Sequence, residues 1–219
     1  MKTLLHFFES KIEIGSTLFY PGAGYDFETL KFFIENSKLS TFYFVDYETK
    51  PDNTLIEDKL GSNWEITSQC EMFPSDFNQN DWSNFWHPIK ESKTFSDSSN
   101  AFGVKYFLKS QFGQKVELIC LGTEAFQTYN ILLNCGIIPD VIVIQDHGFG
   151  GNWNNNTFGY YEDYSRNSLL YSISKSSLAL PKLLFVGENT GPWPDFIQVS
   201  NFEGAFGSAG HSRAIFSRV

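Results

Sequence analysis

The residues of this chain best suited to chemistry are a glycine turn, an acid that follows it, and an acid–histidine pair. The turn is Tyr20-Pro21-Gly22-Ala23-Gly24-Tyr25-Asp26, the acid is Asp46, and the pair is Asp146-His147. Glycine lets backbone approach a ligand closely and tolerates positive φ. Asp46 follows Gly24 by about 20 residues, near the spacing at which an acid meets a ribose diol. Histidine titrates near neutral pH and an adjacent acid tunes it, so Asp146 and His147 are the candidates for general acid–base work. Side chains of neighbours on a strand point to opposite faces, and Gly148 supplies the turn that would let the two cooperate. The plainer reading is a tight strand-to-helix turn, an exposed Asp46, an Asp146 that caps its loop and a His147 satisfied locally.

Positioning these groups requires strands that end beside one another. Leu18–Tyr20 reads as a buried strand, and Asp26 has the chemistry of a helix N-cap. Phe27, Leu30 and Ile34 then share one helical face, and Lys38 near the end suits the helix dipole. Thr41-Phe42-Tyr43-Phe44-Val45 is β-branched and aromatic, a second strand that ends at Asp46. Thr54 to Leu60 is a short helix stopped by Gly61. Trp64 to Met72 alternates apolar and polar, a strand with one face partly buried. Pro74 to Asn100 is an irregular excursion with a short helix around Trp82–Trp86. Val104–Leu108 and Val116–Leu121 suggest a hairpin. Thr123 caps a helix to Asn134, with Glu124 in its first turn and Gly136 ending it in the left-handed conformation.

Val141-Ile142-Val143-Ile144 lacks alternation, as a central strand buried on both faces does. Leu183–Val186 is similar, and Tyr160 to Ser176 is a helix candidate. Ile197–Val199 and Ala214–Val219 close the sheet as an antiparallel pair. Alternating strands and helices imply an α/β fold with a mostly parallel sheet. In such a sheet the ends of the strands at Pro21, Asp46, Asp146 and Glu188 share one edge. The Gly148–Gly159 loop and the turn Glu188-Asn189-Thr190-Gly191-Pro192-Trp193-Pro194 would line the same cleft, with Trp153, Glu188 and Asn189 on the substrate side.

Composition narrows the classes. The chain has 219 residues, read here as a single domain that buries about 70% of its unfolded surface. Its 23 Phe imply a phenylalanine-rich core. A net charge of −9 disfavours duplex nucleic acid, which needs clustered Lys and Arg. The acid-poor end with His211, Arg213 and Arg218 reads as a solvated edge strand. Cys70, Cys120 and Cys135 have no CxxC spacing, and Asp146, His147 and Glu188 have no diagnostic metal-ligand spacing, so no metal site is expected. The Leu4–Phe8 run is too short for a signal peptide, and no segment reaches the length of a membrane helix, which points to a cytoplasmic protein.

On the apolar strand with its glycine turn, and on Asp46 at the next strand end, the chain resembles the class I S-adenosylmethionine-dependent methyltransferases. Pro139 to Asp146 looks like that family's fourth strand, and the two terminal segments look like its closing antiparallel pair. The resemblance implies a three-layer Rossmann-like sandwich that binds S-adenosylmethionine and acts on a small molecule. Tyr20, Pro21, Gly22, Gly24, Asp26 and Asp46 would hold the cofactor, and Asp146 and His147 would act on the substrate. The sequence departs from the family where Tyr20-Pro21 precedes the glycines, where a third glycine is absent, and where no Asn-Pro-Pro-aromatic motif follows the fourth strand. Phe27 at the third glycine position argues against a dinucleotide site. The alternatives are a non-catalytic nucleotide- or metabolite-binding protein on the same fold, and an interaction protein that presents Trp82, Trp86 and Trp153.

Overall fold

A computed structural model of the chain describes residues 16–46, 50–86, 100–144, 181–187, 196–203 and 212–218. Its elements are β1 (Thr17–Pro21), α1 (Phe27–Asn36), β2 (Thr41–Asp46), α2 (Asn53–Leu60) and β3 (Trp64–Glu71). There follow β4 (Phe102–Ser110), β5 (Lys115–Gly122), α3 (Ala125–Asn134), β6 (Val141–Ile144), β7 (Leu183–Gly187), β8 (Phe196–Glu203) and β9 (Ser212–Arg218). Among the described residues the strands form one nine-stranded mixed sheet in the order β3-β4-β5-β2-β1-β6-β7-β9-β8. The ladders β5/β2, β2/β1, β1/β6 and β6/β7 are parallel. Antiparallel ladders flank them: β3/β4 and β4/β5 on one side, β7/β9 and β9/β8 on the other.

The central strands are apolar because both of their faces are covered. Successive residues alternate between two cores. Leu18, Tyr20, Phe42, Phe44 and Val141 pack with Phe27, Leu30 and Phe33 of α1 and Ile56 and Leu60 of α2. Phe19, Tyr43, Val45, Ile119 and Ile142 pack with Tyr129 and Leu132 of α3 and with Phe77 and Phe85. Seven of the 23 Phe are buried in these two cores. The Phe27 and Phe44 rings lie stacked at 6.0 Å, and Tyr20 meets Phe44 edge-on at 5.2 Å. These contacts lock α1 onto β1 and β2 directly beneath the glycine turn.

At the amino edge, Asp140 joins three strands. Its carboxylate accepts the Thr17 amide at 3.0 Å and pairs with Lys182 at 2.9 Å, and its carbonyl accepts the Lys182 amide at 2.7 Å.

Several expectations require correction. The last turn of α1 holds no basic residue, and Lys38 lies beyond its C-cap, Ser37. Glu124 rather than Thr123 caps α3: its carboxylate accepts the Gln127 amide at 2.7 Å, while the buried Thr123 hydroxyl meets that of Thr128. β3 buries only Trp64 fully, because it is an edge strand and a register shift between Ile66 and Ser68 breaks its alternation. β9 is an interior strand between β7 and β8, not an edge strand. The expected helix near Trp82 is a single 3₁₀ turn, Trp82–Phe85, preceded by another at Pro74–Phe77. Among the described residues no helix is long and apolar enough to cross a membrane.

A Cβ on Gly103 would stand 2.8 Å from both Met72 Cβ and the Trp82 ring. Met72 Cβ cannot yield without its backbone, so Gly103→Ala should lower stability by about 1–3 kcal/mol. Urea unfolding checks this, and an unchanged midpoint would contradict the packing. The Tyr43 hydroxyl is pushed up to about 12 by burial, then by the Glu117 carboxylate and Cys135. An unfolded tyrosine titrates near 10. The folded state therefore keeps a proton that the unfolded state releases, so this contribution is complete below about pH 10 and lost as pH rises toward 12. Tyr43→Phe should make the stability of the chain less sensitive to pH over that window.

Candidate functional site

The turn after β1 continues the parallel pairing of β1 with β2. The amides of Gly22 and Ala23 both donate to the Val45 carbonyl, at 2.7 and 3.3 Å. To bring successive amides toward one strand end the chain must coil, and Gly22 and Gly24 take φ of 64° and 51°. The Gly24 amide then donates to Asp46 Oδ2 at 2.7 Å. Asp46 is also held through its backbone, since its carbonyl accepts the Thr123 amide at 3.1 Å. One residue thus joins the carboxyl ends of β1, β2 and β5. Nothing in the sequence marks Thr123 for that part, because the contact crosses from one strand end to another.

Asp26 opens α1 as expected. Its Oδ1 accepts the Thr29 amide at 3.1 Å, and its Oδ2 accepts the Tyr20 hydroxyl at 2.8 Å and the Thr29 hydroxyl. Thr29 is fully buried and Tyr20 nearly so. The D-x-x-T spacing carried a legible signal for the Thr29 contact, since a cap accepts from the third helical residue. Tyr20 and Pro21 lie in the interior beneath the turn. Tyr20 therefore acts on the site by fixing Asp26. Gly22, Gly24, Tyr25, Asp26 and Asp46 are half-buried and reach the surface.

A gap bounded by Gly24, Tyr25, Phe44, Asp46, Phe102 and Cys120 lies behind the turn, with a volume of about 10 Å³. That is room for about one water.

β1, β2, β6 and β7 run parallel, so Pro21, Asp46, Ile144 and Gly187 end at one edge. Asp146, His147, Trp153, Glu188 and Asn189 lie outside the described residues, as do the Gly148–Gly159 loop, the helix candidate from Tyr160 to Ser176, and His211. Trp82 and Trp86 are half-buried, with Trp82 packed 5.0 Å from Phe85. Burial holds the Cys120 thiol above its ordinary range, which keeps it protonated and unreactive.

The tether makes its own prediction. Asp46→Ala leaves the Gly24 amide without its acceptor and should lower stability by about 1–3 kcal/mol, whereas Asp46→Asn keeps an acceptor oxygen and should restore most of the loss. Thermal unfolding of both variants decides: equal losses would mean that the carboxylate contact does not hold the turn. In comparisons with known proteins, the chain matches no family model, no curated protein and no solved structure.

Proposed function

We propose that the chain is a methyltransferase-like protein that binds S-adenosylmethionine at the β1–α1 turn and acts on a small molecule. The reading takes the sheet and its two cores as a three-layer Rossmann-like sandwich. Strand order supports it. Numbered among themselves along the chain, the five parallel strands run third, second, first, fourth, fifth, which is a doubly wound order. In such sheets ligands bind outside the carboxyl ends of the strands where the order reverses, here between β1 and β6.

The observation that carries the choice of ligand is the pair of carboxylates at the turn. A helix N-terminus is ordinarily ready to receive a phosphate. Here the Asp26 carboxylate takes that place on the Thr29 amide, and Asp46 stands on the other side of the turn. A pyrophosphate would meet two anions, while a ligand with a cationic centre and a ribose diol would meet complementary charge. Each carboxylate offers about four lone-pair sites, so Asp46 can take a diol while keeping the Gly24 amide.

When bound, S-adenosylmethionine supplies an electrophilic methyl carbon. In this reading Gly22 and Gly24 admit its amino-acid part, Asp46 accepts hydrogen bonds from the ribose, and Asp26 holds the turn. Asp146 and His147 follow β6, which ends at the same edge, and would receive the proton that the substrate's nucleophile releases. A non-catalytic metabolite-binding protein would share the binding site and lack that last step.

Calorimetry with S-adenosylmethionine, its demethylated product S-adenosylhomocysteine and NAD tests the reading. Both adenosyl ligands should bind and NAD should not, and Asp46→Ala should weaken binding at least about tenfold, about 1.4 kcal/mol. Absence of adenosyl binding, or tighter binding of NAD, would overturn it. Binding that survives His147→Ala, with no methyl transfer in the parent chain to any nucleophile offered, would favour the non-catalytic alternative.

A further inference from the structure

A second concavity lies at the opposite edge of the sheet, at the amino ends of β2 and β5. It is a groove of about 580 Å³, lined among others by Ser40, Thr41, Ser68, Lys109, Lys115 and Glu117. That volume falls within the roughly 300–1,000 Å³ of small-molecule sites.

Charge within the groove is arranged unevenly. Glu117 is already paired, with Lys105 at 3.2 Å, and Lys105 also stands 5.7 Å over the Phe107 ring. Lys109 and Lys115 face each other directly in the β4/β5 ladder. Like charges placed directly opposite one another destabilise a sheet. Glu65 stands opposite Lys109 on β3, yet among the described residues no carboxylate lies within ion-pair distance of Lys109 or Lys115. Two ammonium groups with no ion-pair partner among the described residues therefore line one groove, in a chain of net charge −9. An anion bridging them would turn a repulsive pair into two attractive contacts, and the hydroxyl-bearing Ser40, Thr41 and Ser68 line the same groove.

We propose that this groove binds a phosphorylated, hydroxyl-rich small molecule, with its phosphate between Lys109 and Lys115 and its hydroxyls along Ser40, Thr41 and Ser68. The site stands apart from the carboxylate-lined turn and selects the opposite charge.

The test titrates the ¹⁵N-labelled full chain with ribose 5-phosphate and with inorganic phosphate at constant ionic strength. Amide signals of Thr41, Ser68, Lys109 and Lys115 should shift saturably with both, and the sugar phosphate should bind at least tenfold more tightly. The double variant Lys109→Gln, Lys115→Gln should weaken both at least tenfold, while Lys59→Gln, which is remote from the groove, should not. Both lysines are exposed, so the double variant should keep the spectrum of the folded chain. Unsaturable shifts, shifts centred elsewhere, or an unchanged affinity in the double variant would overturn the proposal. Equal affinity for the two probes would overturn its hydroxyl component.

Discussion

The carboxyl edge of this sheet is organised around Asp46. Its carboxylate takes the Gly24 amide and its carbonyl takes the Thr123 amide, so the segments leaving β1, β2 and β5 are fixed to one residue. The requirement propagates backwards along the chain. To deliver the Gly24 amide there, the turn must coil through two left-handed positions, which glycine adopts without the steric cost of a side chain. The coil in turn starts α1 at Asp26, and the stacked Phe27 and Phe44 rings hold the helix in place.

Electrostatics divide the molecule between its two edges. Asp26 and Asp46 place negative charge at the carboxyl ends of β1 and β2, and Lys109 and Lys115 place positive charge at the opposite edge of the sheet. Asp140 belongs to neither group. It is consumed structurally by Thr17 and Lys182, binding the amino ends of β1, β6 and β7 much as Asp46 binds the carboxyl ends of their neighbours. Similar residues thus serve different ends according to which edge they occupy and what surrounds them.

Much of this was legible in the sequence, because burial and capping leave strong local marks. The apolar runs at Leu18–Tyr20, Phe42–Val45 and Val141–Ile144 are strands, and Asp26 and Gly61 bound helices as their chemistry requires. What the sequence hid was long-range. The bulge between Ile66 and Ser68 shifts the register of β3, and no local pattern encodes it. Glu124 displaced Thr123 as a cap because the Thr123 side chain was drawn into the buried contact with Thr128. Of the candidate site, the turn and Asp46 were readable from spacing. The Asp26 cap was readable as well, whereas the Tyr20 hydroxyl on its carboxylate and the Thr123 amide on the Asp46 carbonyl left no local mark. The lysine groove was invisible too, since cross-strand opposition depends on the register of the hairpin.

The most direct test of the account observes the turn itself. In a chain labelled with ¹⁵N-glycine and titrated with S-adenosylhomocysteine, the Gly22 and Gly24 amide signals should move saturably. Those of Gly61 and Gly113, which lie in other turns, should stay fixed. Binding that leaves Gly22 and Gly24 unmoved, or the absence of any saturable change, would contradict the assignment of the β1–α1 turn as the ligand site.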